Sequence, residues 1–319
     1  MEKKTIRIGT RDSQLALWQA QKVQSLLAFL GHDTELVPVK SDGDLDLVTP
    51  LYAMGVQGIF TKTLDACLLG DKIDIAVHSM KDVPTQLALG IEQAAVLPRD
   101  DVHDILVLKT SRWHKDDAGN WERNAGQDTG FRIGTGSVRR TAQWLNRYPN
   151  SRIDTLRGNV NTRLRKLEEN DWDGAIFAAA GLERTELLPP NNIVLDWMLP
   201  APAQGAIMVV CREEDTTIKK ICQHISHEES ATCTAIERNF LRTLMGGCST
   251  PIGAHAVVQN NQIHFKGNIL SPDGTHKLEI TKEENYSNNS ELGILAARQL
   301  LEKGASTIIE EIRQFEKCN

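Results

Sequence analysis

Phe131-Arg132-Ile133-Gly134-Thr135-Gly136-Ser137-Val138-Arg139-Arg140-Thr141-Ala142-Gln143-Trp144-Leu145-Asn146, followed by Arg152-Ile153-Asp154-Thr155-Leu156-Arg157-Gly158-Asn159-Val160, is the stretch from which the fold is read. Arg132–Gly134 ends a short strand, Thr135-Gly136-Ser137 is a turn, and Val138–Asn146 has the make-up of a helix with Arg139 and Arg140 in its first turn. The pattern then repeats. Arg152–Leu156 is a strand, Arg157-Gly158-Asn159 a loop, and Val160–Asn170 a helix carrying Arg163, Arg165 and Lys166. Two successive strand–turn–helix units predict an α/β fold with basic groups at the carboxyl end of a sheet, where such folds bind ligands.

The charge of this stretch is out of keeping with the chain. The 319 residues carry a net charge of −6, yet Phe131 to Ile153 holds Arg132, Arg139, Arg140, Arg147 and Arg152 with no Asp or Glu. A helix N-terminus is already positive through its unpaired N–H groups, so two arginines there oppose the local preference. The pattern predicts a ligand anion held by backbone donors and guanidinium forks together. Solvated helix faces account better for Arg165, placed to pair with Glu169, and for Lys166 than for Arg139, Arg140 and Arg157.

The α/β alternation extends outward in both directions. Thr5–Ile8 alternates as a strand, runs into Gly9-Thr10-Arg11-Asp12-Ser13, and precedes a helical stripe of Leu15, Trp18, Val23, Leu26, Leu27 and Leu30. Strands at 35–39, 73–77 and 93–97 and a helix at 62–69 complete a first, largely parallel unit. A second spans about 105 to 199, interrupted at 111–130 by a polar stretch expected to be a mobile surface loop. Leu199-Pro200-Ala201-Pro202-Ala203-Gln204-Gly205 is a stiff linker, and the apolar run Ala206–Cys211 suits a buried strand returning to the first sheet. Antiparallel strands at 254–258, 262–269 and 277–281 and two closing helices predict a small α+β unit. The expected domains are 1–103 with 200–223, then 104–199, then 224–319.

Composition narrows the function. No apolar run reaches the roughly 18 residues of a membrane span, and Met1-Glu2-Lys3-Lys4 leads into a strand, so a soluble cytoplasmic protein is expected. The six cysteines contain no C-x-x-C pair, which encodes neither zinc site nor disulfide framework; most are expected to be reduced, buried and inert. His224 and His227 stand alone as ligand candidates, so no metal is expected. Net acidity and 5% aromatic content argue against nucleic-acid binding. A phosphate-cradling G-x-x-x-x-G-K-[ST] loop is absent, and Gly134-Thr135-Gly136 lacks the third glycine of a dinucleotide fingerprint.

Two further clusters carry chemistry. The strand at 73–77 feeds into His78-Ser79-Met80-Lys81-Asp82-Val83-Pro84, a polar group on a strand exit. Met245-Gly246-Gly247-Cys248-Ser249-Thr250-Pro251 puts one thiol in a turn that a large group can approach.

Taken together, RIGTRDSQLALWQA, DIAVHSMKDVP, GTGSVRRTAQ, LRGNVNTRL, AAAGLER and GGCSTPIGA occur in an order and at spacings that resemble the hydroxymethylbilane synthase (porphobilinogen deaminase) family. The likeness runs from about Ile6 to Glu311. It implies an α/β protein with two lobes like those of type II periplasmic binding proteins, crossed twice by the chain, and a small C-terminal α+β domain. It implies a monomeric transferase of haem and tetrapyrrole biosynthesis. That activity joins four porphobilinogen molecules head to tail with loss of ammonia, and hydrolysis then frees hydroxymethylbilane.

The same resemblance implies a dipyrromethane cofactor bound through a thioether to Cys248, with Lys81, Asp82, Thr135, Ser137, Arg139, Arg140 and Arg157 around it. Substrate binding falls to Arg11, Ser13, Phe60, Arg157, Arg163, Arg184 and Gln204, and Asp82 is the implied catalytic carboxylate. Many carboxylates on a growing chain suit arginine's planar, permanently charged fork over lysine. The chain departs from the family pattern at Ala53 and Gln57, where lysines are common, at the acidic Lys40-Ser41-Asp42-Gly43-Asp44 segment, and at Ala203, where glycine is common. A non-catalytic two-lobed anion-binding protein would account for the arginines but not for Cys248 or Asp82. An RNA-binding protein using the basic region would demand a salt-sensitive affinity that the acidic remainder disfavours.

Overall fold

The computed structural model describes residues 5–40, 61–124, 130–244, 250–288 and 291–318. Phe60 and Cys248 lie outside them, as do Asp42, Asp44, Ala53 and Gln57.

The first unit contains β1 (Ile6–Arg11), α1 (Gln14–Phe29), β2 (Thr34–Val39), α2 (Lys62–Leu69), β3 (Ile75–Ser79) and β4 (Ile91–Val96). The chain then crosses to β5 (Asp104–Leu108), β6 (Trp113–Lys115), β7 (Trp121–Arg123), β8 (Arg132–Gly134), α3 (Val138–Arg147), β9 (Arg152–Asp154), α4 (Val160–Glu169), β10 (Gly174–Ala178), α5 (Ala179–Glu183) and β11 (Asn192–Val194). It returns through β12 (Ile207–Arg212) and α6 (Thr216–Gln223). Last come α7 (Glu228–Leu244), β13 (Ile252–Gln259), β14 (Gln262–Leu270), β15 (Lys277–Asn285), α8 (Leu292–Leu300) and α9 (Ser306–Cys318).

The sheets run β2-β1-β3-β12-β4, β11-β5-β10-β8-β9 and β13-β14-β15. Buried apolar clusters cover both faces of the first two sheets. That is why β5 and β12 are continuous buried runs instead of alternating ones. Both sheets are largely parallel with one reversed strand. β12 is antiparallel to β3 and β4, and β5 to β10 and β11. The two crossings lie side by side, with Leu97 N–H donating to Ile207 O and Asp100 N–H to Gly205 O.

Three expectations need correction. β1 continues to Arg11, because Gly9 to Arg11 keep pairing with Val37 to Val39 of β2. The stripe of α1 does not end in the core: Ala16, Gln19, Ala20, Val23 and Leu27 are buried, whereas Leu30 is 40% exposed. Within 111–124 the polar stretch is a β6–β7 hairpin and not a simple loop. Trp113 donates to Asp173 O and stacks on Phe131, and Arg123 pairs with the buried Asp173 carboxylate. Charged and polar letters hid that packing, because the aromatic bodies and one buried acid hold the hairpin down.

Candidate active site

The site lies where the strand ends of the two lobes face each other. Arg11 at the end of β1, Asp12 and Ser13 after it, and Lys81 and Asp82 after β3 form one wall. Residues after β9 (Arg157–Arg163), Ala178 at the end of β10, and Gly181, Leu182 and Thr185 beyond it form the other. The cleft encloses about 500 Å3, and six cationic side chains line it, Arg11, Lys40, Lys81, Arg140, Arg157 and Arg163, against the two carboxylates of Asp12 and Asp82. Such an excess of cations around few acids recruits an anionic ligand.

Local structure explains how these groups are presented. Ser13 and Ser137 cap α1 and α3, accepting from Ala16 N and Arg140 N, and Asn159 caps α4. Gly136 packs its turn against the next one: a Cβ there would sit 2.5 Å from Leu156 O. Asp82 ends a single 3-10 turn, Met80–Asp82, and is exposed to the cleft. Arg238 of α7 holds that turn by donating to Met80 O, Val83 O and Pro84 O. The sequence held no sign of that brace.

Arg139 and Arg140 are not open forks. Both are buried against Asp104: Arg139 Nη1 lies 2.7 Å from Oδ2, and Arg140 Nε and Nη2 donate to Oδ1 at 3.0 and 2.8 Å. Gln204 Nε2 donates to the same Oδ1. Because β5 runs antiparallel to β10, its first residue, Asp104, pairs with Ala178 at the carboxyl end of β10, and so reaches the cleft floor. The sequence-predicted anion for these two arginines is therefore supplied in part by the protein. One signal was available: Asp104 opens an otherwise apolar buried strand, and a buried charge needs partners. Burial raises the Asp104 carboxyl, but Arg139 and Arg140 outweigh it and hold the group well below the usual carboxylate range.

Burial, then Arg140, lower Lys81 to about 8, with Asp82 and Asp104 opposing. Its Nζ donates to Gln204 Oε1 at 3.3 Å, so Gln204 links Lys81 to Asp104. Arg163 is lowered to about 10 by burial and by Arg140, while its Nε donates to Gly158 O. A side chamber of about 170 Å3 joins Lys81, Asp82, Ser137, Arg139, Gln204 and Thr250. Among the described residues, buried Arg139 Nε has no hydrogen-bond partner. This orphaned donor lines a chamber that reaches Thr250, which suits the carboxylate of an anionic ligand.

Two of the described predicted site residues line neither the cleft nor its side chamber. Arg184 is 7% exposed, with Nε on Asp100 Oδ2 at 2.8 Å and Nη2 on Gly205 O, so it ties both crossings to α5 instead of facing a ligand. Thr135 lines an adjoining cavity of about 610 Å3 between α3 and the turn at Ser271–His276, which shares Arg157 with the cleft. Arg165 pairs with Glu169 at 3.5 Å on the surface. Cys211, Cys222 and Cys233 are buried, and burial pushes their thiols up to about 11, 12 and 12.

Comparison with known proteins places this geometry. Residues 6–220 match the family profile described as "Porphobilinogen deaminase, dipyromethane cofactor binding domain", and residues 231–302 match "Porphobilinogen deaminase, C-terminal domain". The porphobilinogen deaminase of Desulforamulus reducens is 41% identical over 98% of this chain and 100% of its own length. That of Syntrophotalea carbinolica is 40% identical over 97% and 96%. Among solved structures, the periplasmic VFT2 domain of Bordetella pertussis BvgS overlaps with a TM-score of 0.40 at 14% identity over 72% of this chain and 91% of that one, a level that leaves the assignment to the sequence relatives. With two profiles spanning both its α/β lobes and its C-terminal domain, and relatives aligned end to end, the chain belongs to the porphobilinogen deaminase family.

Proposed function

We propose that the cleft between the two α/β lobes is where this chain performs the family's activity, the condensation of porphobilinogen into hydroxymethylbilane in tetrapyrrole biosynthesis. The observation that carries the placement is the set of six cations that line the cleft together with Asp82. Each pyrrole unit brings two carboxylate arms, and Arg11, Arg157 and Arg163 are in reach of a ligand filling the cleft. When bound, the dipyrromethane supplies a pyrrole whose free α-carbon accepts the incoming unit. Cys248 would hold it, and Lys81, Ser137 and the unsatisfied Arg139 Nε line the side chamber.

Asp82 has the chemistry's central role. Loss of ammonia from the substrate leaves a cationic pyrrole methylene, and the ring whose α-carbon attacks it must afterwards shed a proton. An exposed carboxylate between the lobes stabilises the first and accepts the second. Asp104 keeps Arg139 and Arg140 in place, and Gln204 fixes Lys81. Phe60 and Arg184, both expected at the substrate from the sequence, divide: Phe60 keeps its proposed place beside the substrate, and Arg184 acts by bracing the crossings.

Domain boundaries at 103/104, 199/200 and 223/224 fit the two crossings and the change from α6 to α7. The reading further includes a monomer in the cytoplasm, acting on a small molecule without nucleic acid or membrane. Among the described residues, no helix is long and apolar enough to cross a membrane. The deciding experiment is the intact mass of protein from cells that make porphobilinogen. A covalent excess of two pyrrole units, lost in Cys248→Ala, is expected; an unmodified wild-type mass would remove the covalent-primer reading.

A further inference from the structure

The turn that carries Asp82 is weakly held from within. Met80–Asp82 is one 3-10 turn, closed at its end by a bond from Val83 N–H to Met80 O at 3.2 Å. Such short pieces have poorer hydrogen-bond geometry than an α-helix. The Asp82 side chain is exposed to the cleft, so the place of its carboxylate follows from the backbone of the turn and not from packing around the side chain.

The bracing comes from another unit of the chain. Arg238 of α7 is buried; its Nη1 donates to Val83 O at 2.9 Å and to Met80 O at 3.3 Å, and its Nη2 to Pro84 O at 2.5 Å. One guanidinium thus gathers carbonyls from both sides of Asp82, which suits a planar fork better than the point charge of an ammonium. Met80 and Val83 are also buried, so the fork works away from water, where its hydrogen bonds hold strongest. The neighbouring Glu237, fully buried, accepts from Arg99 at 2.6 and 3.0 Å and from Ala203 N–H at 2.6 Å. Consecutive residues of α7 therefore hold the two crossings and the Asp82 turn, while Ile236 and Phe240 of the same helix pack into the C-terminal core. Arg238 itself lines neither the cleft nor its side chamber.

Resting on the function proposed above, we propose that Arg238 is a positioning residue for the condensation, which acts through Asp82 by fixing the turn that aims its carboxylate. The demand on that aim is high. A charge stabilises a cation in inverse proportion to their separation, and the same carboxylate must stand within hydrogen-bond reach of the proton it accepts. A group displaced by about 1 Å by a change away from the chemistry can cost about 100-fold in rate. The C-terminal unit then shares in the chemistry through α7, in addition to carrying the primer.

Arg238→Met keeps the bulk and removes the fork, and Arg238→Lys keeps the charge and part of the donors. Each is made alone and together with Asp82→Asn. Bilane formation and the stepwise gain in intact mass are followed per primer-loaded molecule, with circular dichroism as the check on folding. Arg238→Met should lower kcat about 10- to 100-fold with KM for porphobilinogen within about twofold, because the carboxylate is displaced while the groups that bind substrate stay in place. Arg238→Lys should recover part of that loss. Once Asp82→Asn has removed the charge, the same substitutions should slow the residual turnover by less than about threefold, the non-additivity of residues that act as one unit. A brace that serves only the fold would lower the melting temperature and leave the kinetics of folded molecules unchanged, and that result overturns the proposal. So do an equal loss with and without the Asp82 charge, a raised KM with kcat unchanged, and folded variants that carry no primer. If Arg238→Met does not fold, Arg238→Lys supplies the same comparison. A wild type that makes no bilane counts instead against the function proposed above, which keeps the two failures apart.

Discussion

Asp104→Asn removes one negative charge and leaves two buried positive ones. Arg139 and Arg140 are 4% and 6% exposed, so water does not screen them, and Asp104 is their shared carboxylate. Removing one partner of a buried ion pair costs about 3–5 kcal/mol. The amide keeps an acceptor for Arg140 and Gln204, which recovers about 1 kcal/mol, so the net loss is about 2–4 kcal/mol. At about 2 °C per kcal/mol for a chain of this size, the melting temperature should fall by roughly 4–8 °C. The pH dependence supplies a second reading. The Asp104 carboxyl is depressed in the folded state, so its contribution is present above the ordinary carboxylate range and is lost as pH falls through the depressed value. The gap between wild type and variant should therefore stay constant down to about pH 5 and narrow only in stronger acid. Thermal melting followed by circular dichroism at several pH values makes the measurement. A variant melting within 1 °C of wild type at neutral pH would refute the buried-pair account and return Arg139 and Arg140 to the role of open ligand forks.

Asp82→Asn keeps size and most hydrogen bonding but not charge, so steady-state bilane formation should fall about 100- to 10,000-fold with an unchanged melt, while Asp82→Glu retains more activity. Lys81, lowered to about 8 from an ordinary 10.5, should lose its charge in mildly alkaline solution. KM for porphobilinogen should then rise above that pH, and Lys81→Arg should carry the rise to higher pH. Because the unfolded chain keeps this proton longer, the lysine's effect on stability improves with pH across the window from about 8 to 10.5, which pH-dependent melting checks. Arg165→Leu removes an exposed pair with Glu169, so activity should be unchanged and stability should shift by no more than about 0.5 kcal/mol in urea titration.

What could be read from the chain alone was whatever depends on neighbours in sequence. The α/β alternation, the helix at Lys62–Leu69 and the Asn260-Asn261 hairpin follow from periodicity and turn chemistry over a few residues. So did the return of the 206–211 run to the first sheet, because six consecutive buried positions demand a strand covered on both faces. Of the residues that line the cleft, Lys81, Asp82 and Arg157 drew notice because they follow strands, where open α/β sheets present their ligands, whereas Arg11, Ser13 and Arg163 were named through the family resemblance.

Partner choice was decided only by tertiary structure. Asp104, 35 residues before Arg139, takes up both guanidiniums because a reversed strand delivers its first residue to the far end of the sheet. Arg184 meets Asp100 and Gly205 because the two crossings run side by side, and Arg238 reaches the Asp82 turn from a helix more than 150 residues away. An arginine that binds a ligand and one that binds a buried aspartate look alike in sequence. Which one it is depends on where the compensating carboxylate lies in space, and burial makes that pairing obligatory.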